Sequence, residues 1–467
     1  MTVVAIWWVL GMVRITLYGG AGQIGGNKIL LEDGDTRVFF DFGTPFNWGE
    51  QYFVDFLKPR ESRFGLRDHL HFGLMPRIDG LYDEDWVKGT DVKYREPEFD
   101  AAFISHMHFD HAMHLKYMDR KIPVYLGATA DMIRQSWEIT SRGWSTCGEH
   151  DFRTFRTGDK VKVGSIEVEP VHVDHSTPGA YGFVIHTSDG CVAYTGDLRL
   201  HGPKGSMTQD FVAKAASEKP LALICEGTRV SDNDTRPDIS EDGVRRKAED
   251  LISRTGKLAV VSFYPKDVDR MRSFRDVARS TGRKFVVSAK VAHLLATLQG
   301  DPNIDAPDPM TDPNMLVYVR DMAAPKKVPY EYEYALKKPN SDHIVGSTEV
   351  RGRQSELIFH LDFMQLTELI DIAPTKGSLF IRSKSEPFEE DDVQEEVLLN
   401  WLRSFDLHLE NAHASGHASM AEVFDIVRTI APKVVIPVHT EHPELFRGQW
   451  PKFVQADPMQ PVTIRGA

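Results

Sequence analysis

Cysteine is scarce in this chain, cationic charge is in deficit, and no apolar run is long. The three cysteines, Cys147, Cys191 and Cys225, stand far apart with no paired spacing. That pattern excludes a disulfide framework and a CxxC zinc site, and it suits a reducing cytoplasm. The opening MTVVAIWWVLG is apolar but well short of a membrane span. It has neither a basic leading region nor a small-residue cleavage site, so no signal peptide is expected. Met12, directly before VRITLYGG, is a candidate start. The expectation is a soluble, cytoplasmic protein without a membrane partner.

The formal net charge is −13. Proteins that grip nucleic acid with their whole surface are usually basic, so any such binding here must come from a local groove and from bound metal. A phosphate-binding nucleotide loop is also lacking. GGAGQIGGN is followed by neither a helix nor Lys-Ser/Thr, and reads as tight turns within a β-sandwich. No internal repeat or low-complexity tract is present.

What the chain does have is length and an ordinary globular composition. Its 467 residues, 41% hydrophobic and 26% charged, fit two domains or one domain with a large insertion. Residues 44–100 form a long aromatic, Arg- and Pro-bearing segment that suits either a lid or a surface wrap. From residue 101 short strands recur: AAFISH, PVYLG, KVKVGSIEVEPVHVDH, and YGFVIHTSDGCVAYTGD, the last a hairpin turning at Asp189-Gly190. After PLALICEG the pattern changes. EDGVRRKAEDLISRTG and DVDRMRSFRDVARSTG read as helices alternating with the strands LAVVSFY and KFVVSA, which predicts a parallel α/β unit. Residues 301–345 read as loops and edge strands, and 387–405 as an acidic helix. A final helix has apolar residues Met420, Val423, Phe424, Val427 and Ile430 at helical spacing, with Ser419 and Glu422 as a capping box.

The strongest chemical signal is SHMHFDH, with His106, His108, Asp110 and His111 directly after an apolar strand. Three imidazoles and a carboxylate in so short a span make a poor core, but they suit metal ligation. His106 and His108 point the same way in an extended segment and can hold one ion. Asp110 and His111, past the turn, can hold a neighbour. Neither site is complete without further ligands, and a bridging carboxylate suits two ions. His175 in VHVDH, Asp197 in YTGD and His439 in VVIPVH occupy matching strand-end settings.

H-x-H-x-D-H, a later His, a TGD aspartate and a final strand-end His together resemble the metallo-β-lactamase superfamily. The chain also resembles the β-CASP branch and, within it, ribonuclease J. Glu226 in LICEGT matches the branch's strand-end acid. His417 in HASGHAS and His439 match its later motifs, and FYPKDVDRMRSFRDVARSTGRKFVV is similar to the start of its inserted domain. The resemblance implies an α/β fold: an αββα sandwich over 1–228 and 406–467, interrupted by a parallel α/β domain at 229–405. It implies two divalent ions, zinc first and manganese second. His106, His108 and His175 would hold one, Asp110, His111 and His439 the other, with Asp197 bridging. The ions would activate a water for attack on a phosphodiester. Asp110 would help fix that water, and His417, paired with Glu226, would protonate the leaving 3′ oxygen. His413, Ser415, Ser419 and the free N–H groups of the 419 helix form a candidate phosphate cradle.

The implied activity is hydrolysis of single-stranded RNA, with 5′–3′ exonuclease action as one form and a homodimer as one assembly. A small-molecule metallohydrolase and a DNA nuclease are the alternatives. Three features depart from the family pattern. HMHFDHAMH has Ala-Met-His in place of a small glycine-containing stretch, the 44–100 segment is long, and no counterpart of the usual C-terminal domain of bacterial ribonuclease J is seen.

Overall fold

The structure is a computed structural model that describes residues 12–464 except 47, 55, 142–145, 238, 322–340 and 386–392. The readings made of residues 1–11 and of the start of the acidic helix lie outside the described residues.

Two sheets pack face to face. The first has the strand order Pro461–Ile464, Val13–Gly19, Lys28–Asp33, Thr36–Phe42, Ala101–Ile104, Val124–Gly127, Phe152–Phe155. The second runs Val434–Val438, Ala222–Glu226, Cys191–Tyr194, Tyr181–His186, Ile166–His172, Val161–Val163. Alternate residues of both sheets meet between them: Ile15, Leu31, Phe40 and Phe103 from one, Phe183, Tyr194, Ile224 and Ile436 from the other, all buried. Burying each such side chain contributes about 1.5–3 kcal/mol. Helices Gly205–Ser217 and Met420–Ile430 cover the outer face of the second sheet through Phe211, Val212, Val423 and Val427. Helix Ala128–Ser141 lies on the outside of the first. The result is an αββα sandwich. Pro437 sits in the edge strand, where a missing N–H is tolerated.

A third sheet is built from the middle of the chain, in the order Ile344–Val345, Met315–Tyr318, Lys284–Ser288, Leu357–His360, Ala259–Ser262, Leu379–Arg382, His408–Asn411. All its pairings are parallel. The expected helices occur at Glu241–Ser253 and Val268–Ser280, capped by Ser240 and Asp267, whose side chains accept from Gly243 N and Arg270 N. Two boundary expectations change. Within 301–345, Ile344–Val345 is the expected edge strand, whereas Met315–Tyr318 has a neighbour on each side and is interior. The return point expected at 405/406 precedes His408–Asn411, which this third sheet holds, so the chain crosses back only after Asn411.

The inserted unit is bolted to the sandwich by buried polar contacts. Ser136 Oγ is 2.7 Å from His293 Nδ1, and Asp301 receives Thr129 Oγ1 at 2.5 Å and Arg156 at 3.1 Å. Arg270, fully buried, binds Glu241 at 2.8 and 3.0 Å and donates to the carbonyls of Ser383 and Ala414 on either side of the return crossing.

The segment 44–100 is a wrap with an exposed tip. Leu66, Leu70, Leu81 and Val87 join Leu115, Tyr117 and Met118 in one core behind the His-rich turn. That turn is also held from the other side. Asn27 N donates to the Asp110 carbonyl at 3.0 Å, and a Cβ added at Gly43 would stand 1.8 Å from the same oxygen. The glycine is thus required by the close approach of the backbone. Gly43→Ala is expected to destabilise the protein by about 1–3 kcal/mol, because the overpacked backbone must shift. Denaturant unfolding measures this, and a stability equal to wild type would contradict it.

Candidate metal centre

The edges of both sheets deliver the site. Strand Ala101–Ile104 pairs in parallel with Thr36–Phe42, placing Ser105 beside Asp41. Ser105 N and Oγ donate to the Asp41 carboxylate at 2.7 and 2.8 Å. His106 and His108 follow in extended chain, and the single helical turn Phe109–Ala112 swings Asp110 and His111 back toward them. In the second sheet Glu226 pairs with Val438, so His439 emerges next to Glu226, while Asp197 follows the neighbouring strand Cys191–Tyr194. Parallel pairing puts these carboxyl ends at one rim.

All seven side chains named from the sequence meet there. In one cluster His108 Nδ1 is 3.0 Å from His106 Nε2 and 3.1 Å from His175 Nε2, and Asp197 Oδ2 lies 3.7 and 3.9 Å from the latter two nitrogens. In the other, His439 Nε2 is 2.8 Å from Asp110 Oδ2 and 3.6 Å from Asp197 Oδ2, while His111 Nε2 is 3.5 and 3.1 Å from the same two oxygens. The potential ligand atoms of each cluster fall within 4.8 Å of one another, and Asp197 belongs to both.

The arrangement fits divalent cations. One proton on His108 Nδ1 could bridge to only one of the two Nε2 atoms beside it, whereas a cation among the three buried ring nitrogens would satisfy all of them. Asp197 Oδ1 and His111 Nε2 are buried without a hydrogen bond, which is costly for polar atoms in a dry site. Burial pushes His108 down to about 3 and His106 and His175 well below the usual imidazole range, so this trio is neutral and ready to coordinate. In the second cluster burial also disfavours charge on His111 and His439, but Asp197 and Asp110 outweigh it and raise both. Burial raises the Asp110 carboxyl, yet His111 and His439 prevail and hold it at about 2.

Supporting residues that the motif reading missed set the ring orientations. Asp41, fully buried, accepts from Tyr194 OH at 2.6 Å and is 2.8 Å from His111 Nδ1, which turns His111 Nε2 inward. The Gly416 carbonyl is 2.6 Å from His175 Nδ1, and Thr228 Oγ1 is 2.8 Å from His439 Nδ1. Asp41, at φ 57°, and His439, at φ 54°, both adopt left-handed backbone. That costs on the order of 1–3 kcal/mol each and is typical of functional sites. An aspartate next to last in the otherwise apolar run of the strand TRVFFDF was the signal available for Asp41.

Glu226 and His417 are paired, His417 Nδ1 standing 3.1 and 3.2 Å from the two carboxylate oxygens. Glu226 is held in turn by Leu198 N at 2.9 Å and Thr228 Oγ1 at 2.8 Å, and His417 Nδ1 is 3.9 Å from Asp197 Oδ2. The inserted domain closes the same mouth. The Tyr264 ring is 5.1 Å from that of His108, and Lys266 Nζ donates to the Met107 carbonyl at 2.7 Å.

The expected phosphate cradle is only partly assembled. Ser415 Oγ accepts from His417 N at 3.1 Å, so it shapes the loop that presents His417. Ser419 caps its helix as expected, but the Glu422 carboxylate sits 2.9 Å from its backbone N. Glu422 thus meets the N–H of Ser419 itself, and the N–H groups of the first helical turn stay directed out of the helix start. His413 does not join Ser419. Its Nδ1 is 3.1 Å from the Ser383 carbonyl and its Nε2 is 3.4 Å from Ser385 Oγ, on the inserted sheet's side.

Because cations compete with protons at His111 and His439, metal affinity should depend on pH in a definite direction. Raised pKa values mean that these rings hold protons in the free protein, and binding must expel them, so affinity rises with pH and protons are released. Zinc titration calorimetry in two buffers of different ionisation enthalpy checks this. Equal heats in both buffers, or an affinity that does not change across pH 6 to 8, would refute the proton competition.

Comparison with known proteins agrees with this geometry. Residues 85–241 match the model of the β-lactamase superfamily domain, and residues 406–446 match that of the Zn-dependent metallo-hydrolase RNA specificity domain. The chain is 24% identical over 454 residues to ribonuclease J of Helicobacter pylori strain J99, covering 93% of this chain and 57% of that protein. It is 25% identical over 448 residues to ribonuclease J of Mycolicibacterium smegmatis, covering 92% and 69%. The chain thus spans little more than half the length of the first of these relatives. A crystal structure of a protein of unknown function from Enterococcus faecalis V583 shares the fold, with a TM-score of 0.76 at 24% identity over 97% of this chain and 100% of that one. With both domain models matched and the sandwich, the inserted parallel sheet and the His/Asp rim in place, the chain resembles metallo-β-lactamase superfamily proteins of the β-CASP type, ribonuclease J among them.

Proposed function

We propose that this protein is a metal-dependent ribonuclease that hydrolyses phosphodiester bonds of single-stranded RNA. The observation that carries the reading is Asp197 Oδ2, common to two His/Asp clusters and 3.9 Å from a histidine that a buried glutamate holds. One cluster would be ligated by His106, His108 and His175 and the other by Asp110, His111 and His439, with Asp197 between them. When bound, divalent cations (zinc first, manganese second) supply Lewis acidity that acidifies water and offsets charge on a phosphate.

The chain's own groups do the rest. Asp110 and Asp197 orient the attacking water. His417 uses Nδ1 on Glu226, which leaves Nε2 to hand a proton to the departing 3′ oxygen. His413, Ser415 and Ser419, along and after the loop that carries His417, are assigned to substrate phosphate. The match of 406–446 to an RNA specificity domain supports RNA as the polymer. The inserted domain, closing on His108 through Tyr264, supports a polymeric over a small substrate, because a small molecule needs no clamp of that size. Action from the 5′ end is the mode proposed.

Protein loaded with zinc or manganese is expected to degrade 5′-labelled single-stranded RNA, and chelator to abolish this. Hydrolysis of a lactone with no cleavage of any RNA would defeat the reading. A preference for 5′-monophosphate over 5′-triphosphate RNA is the mark of action from that end, and equal rates on both would remove it. His417→Ala should keep its metal content yet lose about 10²–10⁴-fold in turnover, the usual worth of a positioned proton donor. Normal turnover in that variant would take His417 out of the mechanism.

A further inference from the structure

Among the described residues, the segment 44–100 gives none to either cluster, yet it starts at the wall of the site. Phe46 flanks Gly25, where an added Cβ would stand 3.0 Å from both the Phe46 ring and the Asp110 side chain. From there the tip runs outward with large apolar side chains in water. Phe56 is fully exposed, Leu57 is 61% exposed, and Tyr52 and Phe72 stack on each other at 4.2 Å with both rings at the surface. An exposed patch of this kind marks an interaction site.

The charge beside it is unlike that of the rest of the chain. Residues 52–72 carry Lys58, Arg60, Arg63 and Arg67 against Asp55, Glu61 and Asp68, within a protein of net charge −13. Two of these carboxylates are already engaged, Asp68 with Arg60 at 2.6 Å and Glu61 with His69 and Tyr117, each at 2.8 Å. Arg63 and Arg67 pack on the Phe64 ring, 5.5 and 5.2 Å from its centre, and neither they nor Lys58 forms an ion pair among the described residues.

We propose that this tip is a platform for the part of a single-stranded RNA that extends beyond the metal centre. Bases stack on the rings of Tyr52, Phe72 and Phe56, and phosphates meet Arg63 and Arg67. Flat rings interleaved with free guanidinium groups are the means by which single strands are held without regard to sequence. A second copy is a poorer occupant, because a two-fold contact would set the same cations against themselves. The inference rests on the ribonuclease reading for the identity of the strand, and on continuity with the metal centre for its path.

The test uses the full chain and two single-stranded RNAs, of about 5 and about 20 nucleotides, the shorter being confined to the cleft. Binding is read by fluorescence anisotropy with chelator present, and cleavage of the short RNA is read with zinc. Two variants are compared with the unmodified protein: Arg63→Glu with Arg67→Glu, and Phe56→Ser with Phe72→Ser. Each should raise the Kd for the long RNA about tenfold or more while the short RNA is cut at the normal rate, and the charge variant should flatten the salt dependence of binding by about two phosphate contacts. Unchanged affinity for the long RNA in both variants, with cleavage intact, would overturn the platform and leave the ribonuclease reading standing. Absence of cleavage of either RNA by the unmodified protein would overturn that reading, whatever the variants do. Loss of self-association, or of binding to anionic lipid vesicles, without any change in RNA affinity would overturn the platform in favour of that other partner.

Discussion

One carboxylate oxygen organises this molecule. Asp197 Oδ2 lies within 4 Å of ring nitrogens from His106, His111, His175, His417 and His439, residues drawn from both sheets and from the loop after the inserted domain. Burying a charged group away from water is expensive unless opposite charge surrounds it. The fold meets that condition by bringing the ends of two sheets and the return crossing to one point, and each of those elements has its course set by the need to arrive there.

The cost of that convergence is visible around it. Asp41 and His439 hold left-handed backbone, and polar atoms of Asp197 and His111 are buried without hydrogen bonds. What holds these groups in place is a shell of ordinary residues. Asp41 and Ser105 tie the first sheet to His111 and His106, Thr228 ties Glu226 to His439, and the Gly416 carbonyl orients His175. Glu226 thereby touches His417 directly and His439 through one hydroxyl, so the proposed proton donor and a proposed metal ligand share a single anchor. A site held in this way is preorganised for charge that develops during a reaction rather than for the protein's own stability.

The inserted parallel domain takes part in the same economy of position. Arg270 binds Glu241 within that domain and the carbonyls of Ser383 and Ala414 at the crossing back to the sandwich, so the loop carrying His413, Ser415 and His417 starts from a rigid junction. Tyr264 and Lys266 bring the domain onto the His-rich turn. The 44–100 segment supports the turn from behind while leaving its own tip in solvent. An acidic protein can handle an anionic polymer only where cations are local.

The histidines and aspartates that gather at the rim were legible in the sequence because metal ligation would demand such side chains at short range and at strand ends, and SHMHFDH, YTGD and VVIPVH display them in order. Alternation of strands and helices likewise announced the parallel insertion. Three things became visible only in three dimensions. Asp41 and Thr228 carry no motif of their own, since their role depends on which strand lies alongside. The strand His408–Asn411 belongs to the inserted sheet because of pairing with Leu379–Arg382, a long-range partner that local composition does not encode. The folding of Glu422 back onto the backbone N of Ser419 showed how that helix start is closed on one side. Local chemistry is written in the chain, whereas a second shell and a sheet boundary depend on neighbours far away in sequence, which only packing brings near.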